Sequence, residues 1–125
     1  MNEQVAEAQR NIISNLAGWE SAIAELYEKY AAALPELADF WGKLAKEERS
    51  HAALLNGLLK KIDQGFVFLN IGSFEWESIE REIHVILKAL HAINTEGVTA
   101  KTALLTAINI ESTLMESSFY SKTRS

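Results

Sequence analysis

Glu48-Arg49-Ser50-His51 places a carboxylate and an imidazole three residues apart, on one side of any helix that contains them. At ~100° per residue, Leu37, Trp41, Leu44, Leu55, Leu58, Leu59 and Ile62 project within a single face. Glu48 falls at the centre of that face, and His51 lies one turn further along it. An unpaired carboxylate in such a place is costly, so Glu48 calls for a proton, a cation or a metal. Within a helical bundle, an i, i+3 carboxylate–imidazole pair is an arrangement used by carboxylate-bridged dimetal sites.

The same projection finds two more glutamates inside apolar stripes. Glu20 falls between Ile13, Leu16, Ile23 and Tyr27, while Glu25 and Glu28 point away. Glu111 falls between Leu104, Ala107, Ile108, Leu114 and Met115, while Glu116 lies off the stripe. Three helices would each bring one carboxylate to the core, and one of them adds a histidine. Iron, manganese and zinc all take this O/N set. Tyr27 is placed to hydrogen-bond a ligand carboxylate from behind, a role that orients and tunes metal ligands. Glu80 and His84, on the rim of a third stripe with Glu77 and His91, would be additional ligands if that helix packs beside the site. Each residue also has a plainer reading: a boundary glutamate reaching to water or to a salt bridge, and a hydrated rim for the two histidines.

The elements that must position these groups read as four helices, over about 2–33, 36–62, 74–94 and 100–120. The chain's one proline, Pro35, suits the first turn of the second helix, and Lys60-Lys61 followed by Gly65 suits its end. Residues 65–72 have no helical period and read as an apolar connection. Gly97 stops the third helix and Thr99 caps the fourth. No low-complexity linker interrupts them, so a single all-α domain over 1–125 is expected. A faint repeat links the ends of the chain: Trp19-Glu20-Ser21 with Glu25 matches Ile110-Glu111-Ser112 with Glu116.

With 125 residues, 48% of them hydrophobic, the chain can bury a core of one domain. Its formal charge of −5 is spread among interspersed acidic residues. Without a basic stripe, nucleic acid is not an expected partner. No apolar run reaches the ~18 residues of a membrane span and the N-terminus has no signal pattern, so a cytoplasmic protein is expected. Zero cysteines exclude disulfides and thiolate metal sites. There is no GxSxG, no Gly-rich phosphate loop and no HExxH, which leaves other catalytic chemistries unsupported.

At these residues the chain resembles the rubrerythrin-like branch of the ferritin-like superfamily. Gly18-Trp19-Glu20-Ser21-Ala22, with Tyr27 and Tyr30-Ala31, resembles the family's first ligand helix. Leu44-Ala45-Lys46-Glu47-Glu48-Arg49-Ser50-His51-Ala52 resembles the second and is the more specific match. Ala107-Ile108-Asn109-Ile110-Glu111, ending in Phe119-Tyr120, resembles the start of the second half. The resemblance implies an antiparallel ferritin-like bundle, iron binding, and redox chemistry with oxygen or peroxide as the small oxidant. By that likeness Glu20 is a ligand of one metal, Glu48 a bridging carboxylate, His51 a terminal imidazole and Glu111 their counterpart in the second half. The family builds its centre from Glu, ExxH, Glu and ExxH. Here Leu114 stands where the second histidine would fall, and no rubredoxin module is present.

A homo-oligomer, a dimer that brings together two ExxH motifs, is one expectation that follows. A bundle truncated after its third ligand helix, or a degenerate one with a structural role and no catalysis, is the main alternative. A single-zinc hydrolytic site is a third.

Overall fold

In the chain's computed structural model, the residues described are 3–65 and 76–116, without the side chains of 5, 76–79 and 114–116. Four α-helices account for nearly all of them: α1 (Glu3–Ala33), α2 (Ala38–Asp63), α3 (Trp76–Glu96) and α4 (Ala100–Glu116). The described residues contain no strand, so the fold is all-α. None of these helices is long and apolar enough to cross a membrane.

Local chemistry sets the boundaries. The Leu34 N–H still reaches Tyr30 O at 2.8 Å, but Pro35 carries no N–H to continue the ladder. The chain tightens into a 3-10 turn over Pro35–Leu37 before α2 begins at Ala38, two residues later than the proline alone predicts. Lys60 and Lys61 lie in the last turn of α2, where cations complement the helix dipole. Gly65 and Gly97 follow α2 and α3 with φ of 101° and 75°, backbone that glycine adopts without strain. Thr99 is the expected cap of α4: its Oγ1 accepts the Thr102 N–H at 3.2 Å. Most of the apolar connection over 65–72 and the helical turn proposed up to residue 120 lie outside the described residues.

Helix α1 is the hub. It packs along α2, and α3 packs on it as well. Arg10 pairs with Asp63 at 3.0 Å and Arg49 with Glu28 at 2.8 Å, so the start of α1 meets the end of α2 and the two run antiparallel. Alanines recur on the buried side of both helices, Ala17 and Ala24 on α1 and Ala45 and Ala52 on α2. These short side chains keep the two backbones close. Around them Ile13, Leu16, Ile23, Leu26, Trp41 and Leu55 are buried, each contributing ~1.5–3 kcal/mol relative to exposure.

Trp41 anchors the upper end of this core, with ring centroids 5.4 Å from Tyr27 and 4.8 Å from Tyr30. Helix α4 enters through Ala103, Ala107 and Ile110, which are buried. Its expected stripe is thereby shifted. Leu104 and Ile108, read as core from the sequence, are exposed, because α4 leans on the bundle with one side only.

Candidate metal centre

Two of the glutamates read from the sequence are deep in the protein. Glu20 is 0% exposed and Glu48 2%. The four neighbours expected around Glu20 (Ile13, Leu16, Ile23 and Tyr27) are all buried, while Glu25 and Glu28 are exposed. Glu48 sits between Ala45 and Ala52, and those small neighbours let its carboxylate reach the one that α1 presents. His51, one turn on, points its Nδ1 at the same place. That nitrogen is 3.0 Å from Glu20 Oε2 and 3.5 Å from Glu48 Oε2. One ligand atom from each residue lies within 4.8 Å of the others. Among the described residues this is the one such group of three or more metal-ligating side chains.

The burial of the group favours a proton or a cation between its members. Both carboxylate oxygens of Glu20 and Oε2 of Glu48 are buried, facing one another and His51 Nδ1. Burial, followed by the adjacent Glu20 and Glu111 carboxylates, pushes the Glu48 carboxyl up to about 10. Two buried like charges this close are not both stable unless a proton or a cation joins them. A divalent metal supplies what is lacking, since it takes carboxylate oxygen and imidazole nitrogen together and cancels the charge. The donor set therefore fits a divalent ion.

Glu111 approaches from α4. Its carboxylate is one of the groups that raise Glu48, and its Oε2 accepts a hydrogen bond from the Tyr27 hydroxyl at 2.9 Å. It is partly buried and stands outside the three-residue group. Tyr27, placed by the sequence beside Glu20 as a partner for a ligand carboxylate, thus holds Glu111. Burial, with Glu111 second, raises the Tyr27 hydroxyl well above its ordinary range, so it stays protonated and donates. Burial raises the Tyr30 hydroxyl as well, and a side-chain hydrogen bond with Thr106 acts against it. The expected substitutes are elsewhere: Glu80 and His84 are exposed on α3 and are not among the converging ligands.

Sequence reading passed over the Arg49–Glu28 pair, two hydrogen bonds at 2.8 and 3.2 Å that link the exposed edges of α2 and α1. It also passed over the alanine pairs that bring the helices together. The i, i+7 recurrence of alanine on both ligand helices was the available signal.

The fold and the group together define a class: a helical protein whose Glu20, Glu48 and His51 could hold a metal ion. No family model, curated protein or solved structure matches the chain, so nothing narrower than that class is shown.

Proposed function

We propose that Glu20, Glu48 and His51 bind a divalent metal, iron in preference to manganese or zinc, and that Glu111 serves the same centre. The function proposed is iron-dependent redox chemistry or iron handling of the kind carried out by the rubrerythrin-like proteins that the sequence resembles. One observation carries this reading. Two carboxylates from different helices are buried together, and one imidazole nitrogen stands 3.0 Å from the first and 3.5 Å from the second.

When bound, iron would supply electrons to oxygen or peroxide. The chain's own groups set the conditions for that. Glu20 and Glu48 would hold the cation and offset its charge, Glu48 giving up its proton to do so. His51, with a third of its side chain exposed, marks the side on which a small oxidant enters. Tyr27 keeps Glu111 aimed at the centre through its hydroxyl. The surrounding apolar residues, Leu16, Ile23 and Leu55 among them, exclude bulk water from the other sides.

Elemental analysis of protein purified without chelator tests this, with Glu48→Ala and His51→Ala alongside. Bound metal in the wild type and its loss from both variants is the expected result. Unchanged metal content in the variants would remove the assignment.

A second reading, a structural bundle with no catalysis, is favoured by one specific observation. With its carboxyl raised to about 10, Glu48 holds a proton near neutrality that it can share with Glu20 and Glu111. Such a proton-bridged carboxyl cluster would join three helices without any metal. Protein free of metal after growth with ample iron, and no more stable when iron is added, would favour that reading.

A further inference from the structure

Helices α3 and α4 are joined by the short link Gly97-Val98-Thr99, and a cleft of about 480 Å³ lies between them. Residues at like distances from the link line it, Val85 and Ala89 before and Thr106 and Asn109 after, so the two helices run antiparallel along it. Its volume falls within the ~300–1,000 Å³ of small-ligand sites. None of Glu20, Glu48, His51 and Glu111 lines it, so it stands apart from the metal group.

The floor of the cleft is apolar. Ile110 is buried and Ala89 half-buried, and Val85 forms part of the α3 wall. Around that floor stand a carboxylate, an ammonium and a carboxamide: half-buried Glu82 and exposed Lys88 and Asn109. Among the described residues, none of these three side chains has a hydrogen-bond or ion-pair partner. The Thr106 and Thr113 hydroxyls, by contrast, donate one turn back along α4, to Thr102 O at 3.0 Å and Asn109 O at 2.9 Å. The threonines therefore shape the α4 wall, and Asn109 is its unengaged donor. Lys88 lies toward the link and Glu82 toward the far end, ~9 Å apart along the axis at ~1.5 Å per residue.

We propose that this cleft binds a short peptide of two or three residues with both termini free. Its ammonium pairs with Glu82 and its carboxylate with Lys88. The Asn109 carboxamide bonds a peptide group between them, and a small apolar side chain rests on Ala89 and Ile110. Charge chooses this class of ligand first. A lone anion would meet Glu82 and a lone cation would meet Lys88, whereas one molecule with opposite charges at its ends suits both. Length chooses next: two or three extended residues span roughly 7–11 Å, which a single amino acid does not reach. The carboxamide completes the match, because it offers a donor and an acceptor as a peptide group does. Both ion pairs form at the protein surface, where each is weak, so a dissociation constant of about 1 mM is expected.

Trialanine with free termini, titrated into isotope-labelled protein and followed by amide chemical shifts, tests the proposal. Saturable shifts confined to the two cleft walls, around residues 82–89 and 106–113, are expected. N-acetyl-trialanine amide, which lacks both charges, should bind about tenfold more weakly or worse, and so should free alanine. Glu82→Gln and Lys88→Gln should each weaken trialanine about three- to fivefold, with the helical circular dichroism spectrum unchanged. Leu54→Gln, at an exposed position of α2, should leave binding as it is. No saturable shift up to about 20 mM trialanine, or shifts away from the cleft, would overturn the proposal. Blocked peptide or free alanine binding as tightly as trialanine would also overturn it, as would binding indifferent to both cleft substitutions.

Discussion

Glu20 and Glu111 stand in matching sequence surroundings, each within an apolar stripe, each followed by a serine and by a second glutamate five residues on. Glu20 is fully buried beside Glu48 and His51, whereas Glu111 is partly buried and held by a tyrosine hydroxyl. The difference lies in the neighbours of the two helices. Helix α1 is covered by α2 on one side and α3 on another, so Ile13, Leu16, Ile23 and Tyr27 around Glu20 are all enclosed. Helix α4 is covered on the side of Ala103, Ala107 and Ile110 and bare on the side of Leu104 and Ile108. An apolar stripe gives the direction in which a side chain points, and the number of packed neighbours decides how far it is desolvated. Cation demand follows desolvation, so it concentrates at Glu20 and Glu48 and is weaker at Glu111.

Substitutions in the two regions sharpen this contrast. The largest effect is expected from core truncation in the enclosed half: Ile23→Ala should cost ~2–4 kcal/mol of unfolding free energy, as buried large-to-small changes do. Ile108→Ala should cost under about 0.5 kcal/mol in a monomeric background, because that side chain is mostly in water. Denaturant melts of the two variants at pH 7 check both, and equal costs would contradict the one-sided packing of α4.

Next comes Glu48→Met. Replacing a buried, poorly satisfied carboxylate with an apolar group of similar length is expected to stabilise the metal-free protein by ~1–3 kcal/mol. The same change should abolish stabilisation by added metal. A variant less stable than the metal-free wild type would mean that Glu48 is already well paired by protons.

The pH dependence tests the same buried carboxyl. Its folded pKa, about 10, lies above the ordinary carboxyl value of 4.5. The stabilisation from keeping Glu48 neutral is therefore fully present below about pH 4.5 and lost progressively as pH rises toward 10, by up to ~1.4 kcal/mol per pH unit. Metal-free protein should lose stability between pH 6 and 9, and Glu48→Met should flatten that slope. Metal binding at pH 7 should release a proton, read from the buffer dependence of the binding enthalpy.

Smaller still is Tyr27→Phe, which removes the hydrogen bond to Glu111. A loss of ~1–2 kcal/mol in stability is expected, with metal affinity down about tenfold if Glu111 serves the centre. The smallest change is Arg49→Ala at an exposed ion pair, under about 0.5 kcal/mol by thermal melts.

The helices and the two buried carboxylates were legible because periodicity reports direction. Placing Glu48 between Trp41, Leu55 and Ile62 needs only register, and the fold follows it. Thr99, Gly65 and Gly97 were legible because caps are local chemistry. The depth of burial on α4 was not, because Leu104 and Ile108 have the same period as residues that are enclosed, and only the arrangement of neighbouring helices distinguishes them. The partner of Tyr27 was hidden for a similar reason. Tyr27 and Glu111 are 84 residues apart, and no local pattern links their rotations. The exposure of Glu80 and His84 likewise follows from how α3 sits on α1, which its own stripe does not encode.

The central claim is that Glu20, Glu48 and His51 share one cation. Anomalous diffraction at the iron edge, from crystals loaded with Fe(II) under anaerobic conditions, tests it most directly. The account predicts a peak within about 2.0–2.3 Å of a Glu20 oxygen, a Glu48 oxygen and His51 Nδ1. Saturating iron with no peak among these three residues, or a peak bound only at surface carboxylates, would contradict it.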